Sequence, residues 1–345
     1  MNCCSKCFND KVLESHIEKL ATKTGRCDFC YTEGVRLVEP AKLADRFMIF
    51  LDAYKESPNN GSPISELLKQ DWGLFSAVGE KELTLLLPQL FDDPYIISKK
   101  FEPLMAKTSE YTSHWDDFCE ELKYRNRFFP SKLPDLEDLK GLMSFYLEND
   151  SAKLPQYLYR ARIEEPSTIL DIRDMGKPPA SKTTNGRANP IGIPYLYLAS
   201  DIETAISEVR PTIGQMVAVA SFAKAKNQNK TNARIIDLCN PRQRASPFEQ
   251  EQADRIVALR YELDFLRHLS DELSMPVVPD TANLSYLPSQ YICEFIKHMG
   301  YIGLEYRSAA GDGINYALFD DDLFVPVEIT RYRVSRVGIK YEKCP

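Results

Sequence analysis

Residues 186–200 read Gly-Arg-Ala-Asn-Pro-Ile-Gly-Ile-Pro-Tyr-Leu-Tyr-Leu-Ala-Ser, and they pass from a basic loop into a short strand. The loop begins near residue 174 and contains three glycines and four prolines before residue 195. No acidic residue lies between Lys177 and Pro194. Loops of this length in a compact domain are usually functional or disordered, and a basic loop containing glycine suits an anionic phosphate. The stretch therefore predicts a ligand-binding loop beside a strand.

A helix is predicted directly after this strand, with Ser200 and Glu203 as its capping box. Spacing on this helix predicts a buried face formed by Ile202, Ala205, Ile206 and Val209. Glu208 lies about 60° from Ala205 around the helix axis. It is therefore expected at the edge of the apolar stripe, where it reaches a cleft without entering the core.

The rest of the second half of the chain alternates short strands with helices, which predicts an α+β domain over residues 151–345. Residues 248–273 are expected to form a long charged helix, and residues 288–299 a helix that ends at Gly300. The last basic stretch, from residue 331 to residue 343, alternates polar and apolar side chains and favours a strand with a solvated face. The predicted strands are residues 157–163, 195–199, 216–222, 235–238, 301–306 and 315–319.

The run GRANP-x₄-YLYLAS-x₇-E, residues 186–208, resembles the core of RES domains, which are named for an arginine, a glutamate and a serine. A later run, GYIGLEYRS at residues 300–308 followed by GINY at 313–316, resembles the segment that carries the serine. On this resemblance the three residues are Arg187, Glu208 and Ser308, and Tyr197 matches the functional tyrosine of the family. The resemblance covers about residues 156–320, and it departs at Ala188, where the family often has tryptophan.

The resemblance implies an ADP-ribosyltransferase-like fold and NAD⁺ as substrate. Glu208 would stabilise the cationic ribose that forms when the nicotinamide–ribose bond breaks. Arg187 would bind the diphosphate, and Tyr197 would stack on nicotinamide or orient the ribose. Ser308 would hydrogen-bond the ribose or the carboxamide, and Arg160, on the first strand, matches an arginine found in ADP-ribosyltransferases. Taken singly, each of these residues also fits a purely structural role.

The acceptor of the ribosyl group stays open, since water, phosphate or a protein side chain could each receive it. Arginine-specific protein transferases carry Glu or Gln two residues before the catalytic glutamate, and here that residue is Ile206, which disfavours transfer. A different hypothesis is that the protein is a zinc-dependent interaction module with an inactive RES domain. The intact motif residues argue against this hypothesis. Related proteins that deplete NAD⁺ are toxins, so a growth-inhibiting toxin or defence effector and an inhibitory antitoxin or immunity protein are expected.

Four cysteines at the beginning of the chain form two pairs, Cys4-x₂-Cys7 and Cys27-x₂-Cys30. Two residues between thiols let a tight turn direct both sulfurs at one metal ion, and the two pairs together predict a four-thiolate zinc site. Four protein ligands leave no open position for water, so the zinc is expected to be structural. Cys3 is a second choice for Cys4, although its spacing to Cys7 fits less well.

Between this zinc-binding segment, residues 1–38, and the RES domain, residues 39–150 show helical periodicity, for example at Leu83, Leu86, Leu87 and Leu90. The region resembles the HEPN-like extension found before some RES domains. HEPN ribonucleases need an arginine four to six residues before a histidine, and none of the four histidines has one. The module is therefore predicted to be non-nucleolytic.

Bulk composition limits the partners. The net charge is −7, which disfavours general binding of nucleic acid. No run of apolar residues is long enough for a membrane span, and residues 1–10 lack the apolar segment of a signal peptide. These features predict a cytoplasmic protein without membrane association. In a cytoplasmic protein of this length, the nine cysteines are not expected to form a disulfide framework. A homodimer is left open.

Overall fold

The computed structural model describes residues 1–105, 110–225, 233–249, 253–277, 279–320 and 322–338. The chain divides into two units, one of Met1–His114 with Pro241–Arg267 and one of Trp115–Asn240 with His268–Pro345. The boundaries expected after residues 38 and 150 stay predictions. Within the described part of the chain, no helix has both the length and the apolar character that crossing a membrane requires.

The first unit is built of short helices and strands around an aromatic core. The rings of Phe8, Phe75, Phe91 and Phe248 all lie within 6.2 Å of the ring of Phe47. The elements are α1 (Lys11–Leu20), β1 (Lys23–Gly25), β2 (Val35–Leu37), α2 (Ala44–Phe47), β3 (Tyr54–Glu56), β4 (Ser62–Pro63), α3 (Ile64–Trp72), α4 (Glu80–Leu90), β5 (Lys100–Pro103) and α5 (Tyr111–Tyr124), the last of which ends in the second unit. Strands β1 and β2 form an antiparallel pair, and a second small sheet has the order β3-β5-β4.

The second unit is built around one large sheet. Its elements are α6 (Leu136–Leu142), β6 (Glu148–Asp150), β7 (Tyr157–Ile163), β8 (Leu196–Ala199), α7 (Ile202–Glu208), β9 (Met216–Lys224), β10 (Arg234–Asp237), the end of α8 (Ala253–Ser274), whose residues up to Arg267 belong to the first unit, α9 (Ala282–Ser285), α10 (Leu287–His298), β11 (Gly303–Arg307), β12 (Ile314–Leu318) and β13 (Phe324–Arg333). The sheet has eight strands in the order β13-β9-β7-β8-β12-β11-β10-β6. All six predicted strands are present, and the α+β class is confirmed. Of the basic stretch at residues 331–343, the first residues end β13, and residues 339–345 lie outside the described residues.

Alternation along the strands gives this sheet two apolar faces. One face is buried in a cluster that includes Leu158, Leu198 and Phe222. On the other face, Ala161, Ala199 and Val219 pack with α7, whose apolar stripe is the predicted one. The stripe consists of Ala205, which is buried, with Ile202, Ile206 and Val209, which are partly buried. Packing of this stripe places the carboxyl end of α7 against the sheet.

The beginning of α7 differs from the prediction, because Asp201 and not Ser200 is its N-cap. The Asp201 carboxylate accepts a hydrogen bond from the amide of Thr204 at 2.7 Å. Ser200 cannot take this position, because its backbone amide donates to Ile314 and its hydroxyl accepts from the Ile314 amide at 3.0 Å. Ser200 thus continues the pairing of β8 with β12, and the carboxylate one residue later starts the helix.

Helix α10 ends before Gly300, as its sequence predicts. Gly300 follows the helix with φ of +87°, the left-handed conformation that glycine adopts at least cost. Chain reversal at this glycine leads directly into β11, which carries the residues before Ser308. The predicted helix at residues 248–273 is α8, which begins at Ala253 and ends at Ser274.

Candidate functional site

The large sheet opens between two neighbouring strands. β7 and β8 are paired at a single position, Tyr159 with Ala199, whereas β7 and β9 are paired at seven successive positions. A cavity of about 530 Å³ lies at this opening, with Tyr159 and Arg160 from β7 and Tyr197 from β8 in its walls. Four of the five predicted site residues, Arg160, Arg187, Tyr197 and Glu208, line this cleft. The fifth, Ser308, donates a hydrogen bond to Glu208. Interrupted pairing between two strands thus creates the site.

Glu208, the last residue of α7, is exposed to solvent in the cleft. Its Oε1 atom accepts a hydrogen bond from the Ser308 hydroxyl at 2.5 Å and another from the Asn315 side-chain amide at 2.6 Å. Within the described residues, Oε2 has no hydrogen-bond partner. One oxygen therefore fixes the carboxylate, and the second is available to a ligand.

Ser308 is held in place by the turn that joins β11 to β12. Its hydroxyl accepts hydrogen bonds from the amides of Ala310 at 3.1 Å and Gly311 at 2.9 Å. Because both amides donate to the oxygen, the hydroxyl hydrogen is directed to Glu208. The predicted serine and glutamate, 100 residues apart in the sequence, are thereby joined in one hydrogen-bonded group.

Arg187 lies on the loop before β8, and neutral groups hold its guanidinium. Nη1 donates to the carbonyl of Glu272 at 3.3 Å, and the guanidinium lies over the ring of Tyr286, 5.4 Å from its centre. The loop itself is anchored from α10, where Ser289 donates to the Arg187 carbonyl at 2.7 Å and Gln290 donates to the Gly186 carbonyl at 2.9 Å. The cation is therefore positioned, yet its charge is not neutralised.

Tyr197 lines the cleft with its ring, but its hydroxyl is engaged by the Arg187 loop. The hydroxyl accepts from the Ala188 amide at 3.1 Å and donates to Asn189 Oδ1 at 2.7 Å. A Cβ atom on Gly186 would lie 2.8 Å from the same hydroxyl, so only glycine fits there. Ala188, where the family often has tryptophan, is fully buried. The predicted contact of Tyr197 with a ligand is thus left to the ring.

Arg160, on β7, is a partly buried cation in the wall of the cleft. Its Nη1 atom is inaccessible to solvent and has no hydrogen-bond partner among the described residues. Burial, together with the charge of Arg162, lowers the pKa of Arg160 to about 10, so that it still carries its charge at neutral pH. A buried donor without a hydrogen-bond partner is energetically unfavourable.

Three further residues shape the cleft, and none was assigned a role from the sequence. Asn315 orients Glu208, Tyr286 lies under Arg187, and Tyr306 lines the cavity. Burial raises the pKa of Tyr306 well above its ordinary value, so its phenol stays protonated at neutral pH. Asn315 lies in the run GINY at residues 313–316, a segment that the resemblance to RES domains already marks. Nothing in the sequence near Tyr286 indicated that it approaches Arg187.

The first unit contains a separate candidate site, formed by the four cysteines of the predicted zinc site. The sulfurs of Cys4, Cys7, Cys27 and Cys30 all lie within 4.8 Å of one another. The sulfurs of Cys4 and Cys30 are 3.5 Å apart, and those of Cys7 and Cys27 are 3.4 Å apart. Tetrahedral zinc with Zn–S bonds of about 2.3 Å places its sulfurs roughly 3.8 Å apart, so the cluster fits this ion. Cys3 is not part of it, since its thiol donates to the Val38 carbonyl.

Comparison with known proteins gives two results. The family model of the RES domain matches residues 158–335. Among solved structures, the chain is similar to a chain of the crystal structure of the M. tuberculosis MbcT–MbcA toxin–antitoxin complex, with a TM-score of 0.33 and 12% sequence identity. That similarity covers 57% of this chain and 93% of the other. No curated protein matches the sequence.

Proposed function

The chain belongs to the RES domain family, and from the cleft of this domain we propose that it cleaves NAD⁺ at the nicotinamide–ribose bond. The observation that carries the proposal is the arrangement of Glu208, which lines the cleft with Oε1 fixed by Ser308 and Asn315 and with Oε2 unpartnered among the described residues. Ser308 and Asn315 are neutral, so the carboxylate keeps its negative charge for the ligand.

Glycosidic cleavage of NAD⁺ breaks the bond between the ribose C1′ and the nicotinamide nitrogen, and the electron pair leaves with nicotinamide. Positive charge then develops on the ribose, as in other glycosyl transfers. A carboxylate preorganised beside the ribose stabilises this charge more strongly in the transition state than in the ground state. In this proposal Glu208 has that role, and water or phosphate adds to C1′ afterwards.

The two arginines of the cleft suit the diphosphate of NAD⁺. Arg187 offers a planar guanidinium that bonds phosphate oxygens in pairs, which a lysine cannot do. Arg160 contributes a second guanidinium in the wall of the cleft. The cleft is thus lined by cations that suit the diphosphate and by Glu208, which suits the ribosyl cation.

Aromatic side chains provide the surface on which the nicotinamide ring would lie. Tyr197 and Tyr306 both line the cleft, and both phenols remain neutral because burial raises the pKa of each. Aromatic rings stack favourably on flat heterocycles. Since the Tyr197 hydroxyl is used by the loop, its contribution to the ligand is the ring face.

We further propose that the cleavage acts to arrest growth, as a toxin or defence effector, because an enzyme that removes NAD⁺ deprives the cell of a central cofactor. Such an activity calls for restraint, so an inhibitory antitoxin or immunity protein is the expected partner. For the first unit we propose one structural zinc held by Cys4, Cys7, Cys27 and Cys30.

Product analysis with purified protein and NAD⁺, with and without phosphate, tests the reaction. Nicotinamide with ADP-ribose indicates hydrolysis, and nicotinamide with phosphorylated ADP-ribose indicates phosphorolysis. Labelled ADP-ribose found on protein instead would favour a transferase, the alternative that Ile206 disfavours. If no nicotinamide is released under any of these conditions, the proposal is contradicted and an interaction module is favoured.

A further inference from the structure

A second cavity, of about 600 Å³, adjoins the cleft and shares Arg160, Asn185 and Tyr197 with it. The additional cations in its walls are Arg162, on β7, and Lys182, on the loop before β8. No aspartate or glutamate belongs to its walls within the described residues. The cavity is therefore cationic, although the protein as a whole carries a net charge of −7.

Arg162 is held in this cavity with part of its hydrogen-bonding capacity unused. It follows Arg160 by two residues on β7, so both side chains lie on the same face of the strand. Its Nη2 donates to the Gly176 carbonyl at 3.0 Å, which fixes the guanidinium. Its Nε is buried without a partner among the described residues, as is Arg160 Nη1. Arg162 lines the cavity as a cation, so an anion there would gain a charge-assisted contact with it.

Asp174 is the acidic residue that acts electrostatically on Arg162, but it is engaged elsewhere. Its Oδ2 accepts a hydrogen bond from the Asp171 amide at 2.7 Å, as part of a capping box. Among the described residues no ion pair joins Asp174 to Arg162. Arg162 thus keeps its charge for a ligand.

Size and lining favour an anion that is part of a larger molecule. A cavity of about 600 Å³ has room for roughly twenty water molecules, far more than a free phosphate displaces. Its remaining walls include apolar groups from Ile163, Pro178 and Val209, which suit a ribose or a base. Because the cavity adjoins the proposed NAD⁺ cleft, its occupant is expected to continue from that cleft.

We propose that this cavity binds the additional phosphate of a dinucleotide phosphorylated on its adenosine ribose, so that NADP⁺ is preferred over NAD⁺. The inference rests on the proposed function for the placement of the dinucleotide. Arginine is the residue that typically accepts a ribose 2′-phosphate, since its planar fork pairs with two phosphate oxygens. Arg162 has this role here, with Lys182 adding charge at the exposed end of the cavity.

Calorimetry with uncleavable fragments tests the site apart from catalysis. We expect 2′,5′-adenosine diphosphate to bind the wild-type protein about tenfold or more tightly than 5′-AMP, since a charge-assisted contact to phosphate is made by one and not the other. Arg162→Ala should abolish the difference, and Lys182→Ala, at an exposed position, should reduce it with no effect on folding. Arg173→Ala is the control, because Arg173 is exposed, pairs with Asp171 and lines neither cavity.

The second test is steady-state kinetics with NADP⁺ and with NAD⁺. The ratio of kcat/KM for NADP⁺ to that for NAD⁺ should be about ten or more in the wild type and in Arg173→Ala, and close to one in Arg162→Ala. Equal binding of the two fragments, or a preference that survives both Arg162→Ala and Lys182→Ala, overturns the inference while leaving NAD⁺ cleavage intact. If the protein prefers 2′,5′-adenosine diphosphate in a way that depends on Arg162 and yet cleaves neither dinucleotide, that result supports the site and contradicts the proposed function. Binding of inorganic phosphate without any preference between fragments also overturns it.

Discussion

Replacing Glu208 by glutamine removes one negative charge from the cleft and little else. The glutamine oxygen can still accept the hydrogen bonds from Ser308 and Asn315, which both go to Oε1. The amide nitrogen then takes the place of Oε2, so a donor faces the ribose where an acceptor with charge had been. Since Glu208 is exposed, the substitution should change the free energy of unfolding by less than about 0.5 kcal/mol.

The expected effect is on turnover. Loss of one preorganised electrostatic contact to a developing charge lowers kcat by about 10²–10³-fold, which corresponds to about 2.7–4 kcal/mol of transition-state stabilisation. NAD⁺ binding should change little, because the charge on the ribose is absent in the ground state. A fall in kcat without weaker binding is the signature of an interaction made in the transition state.

The assay is steady-state release of nicotinamide, with NAD⁺ affinity measured by calorimetry and folding by circular dichroism. Glu203→Gln is the matched control, since Glu203 is an exposed glutamate on the same helix and does not line the cleft. Turnover near the wild-type value in Glu208→Gln would mean that another acid stabilises the ribosyl cation. An equal loss in Glu203→Gln would show that the effect comes from the helix and not from the site.

Four further outcomes are expected. Arg187→Lys should weaken NAD⁺ binding about tenfold, as paired contact to the diphosphate is lost, and calorimetry measures it; unchanged affinity would contradict the role. Ser308→Ala should lower kcat about tenfold or more but add little in a Glu208→Gln background, because both changes disable one group; additive losses would separate the two residues. Tyr197→Phe should lower the free energy of unfolding by about 1–3 kcal/mol in urea, since its hydroxyl satisfies two loop groups, and an unchanged midpoint would refute this. Cys27→Ser should reduce the zinc content found by elemental analysis, whereas equal metal in both proteins would exclude the four-cysteine site.

The sequence was informative where function depends on residues within one local motif. The strand, the helix and its apolar stripe could all be predicted around Glu208, because periodicity reports burial directly. The start of the helix was placed one residue early, at Ser200. The reason is tertiary, since pairing with Ile314 on the neighbouring strand uses both the backbone and the hydroxyl of that serine. Local capping rules do not include such competition.

Residues that support the motif from elsewhere could not be predicted in the same way. Asn315 reaches Glu208 because β12 pairs with β8 in a register that aligns Asn315 with Ala199. That register is set by the whole antiparallel ladder and has no local signal. Tyr286, the N-cap of α10, follows Arg187 by about 100 residues in the sequence, so no local pattern connects the two.

The cleft is lined by charges of both signs, Glu208 and the two arginines. Among the described residues no ion pair joins Glu208 to Arg160 or Arg187, and the groups that hold Glu208 and Arg187 are neutral. An ion pair would lower the energy of the empty site, but a ligand would then have to break it before using either charge. With neutral partners, each charged group is oriented at little cost and remains available. Such an arrangement suits a substrate whose diphosphate is anionic from the start and whose ribose becomes cationic only as its bond breaks.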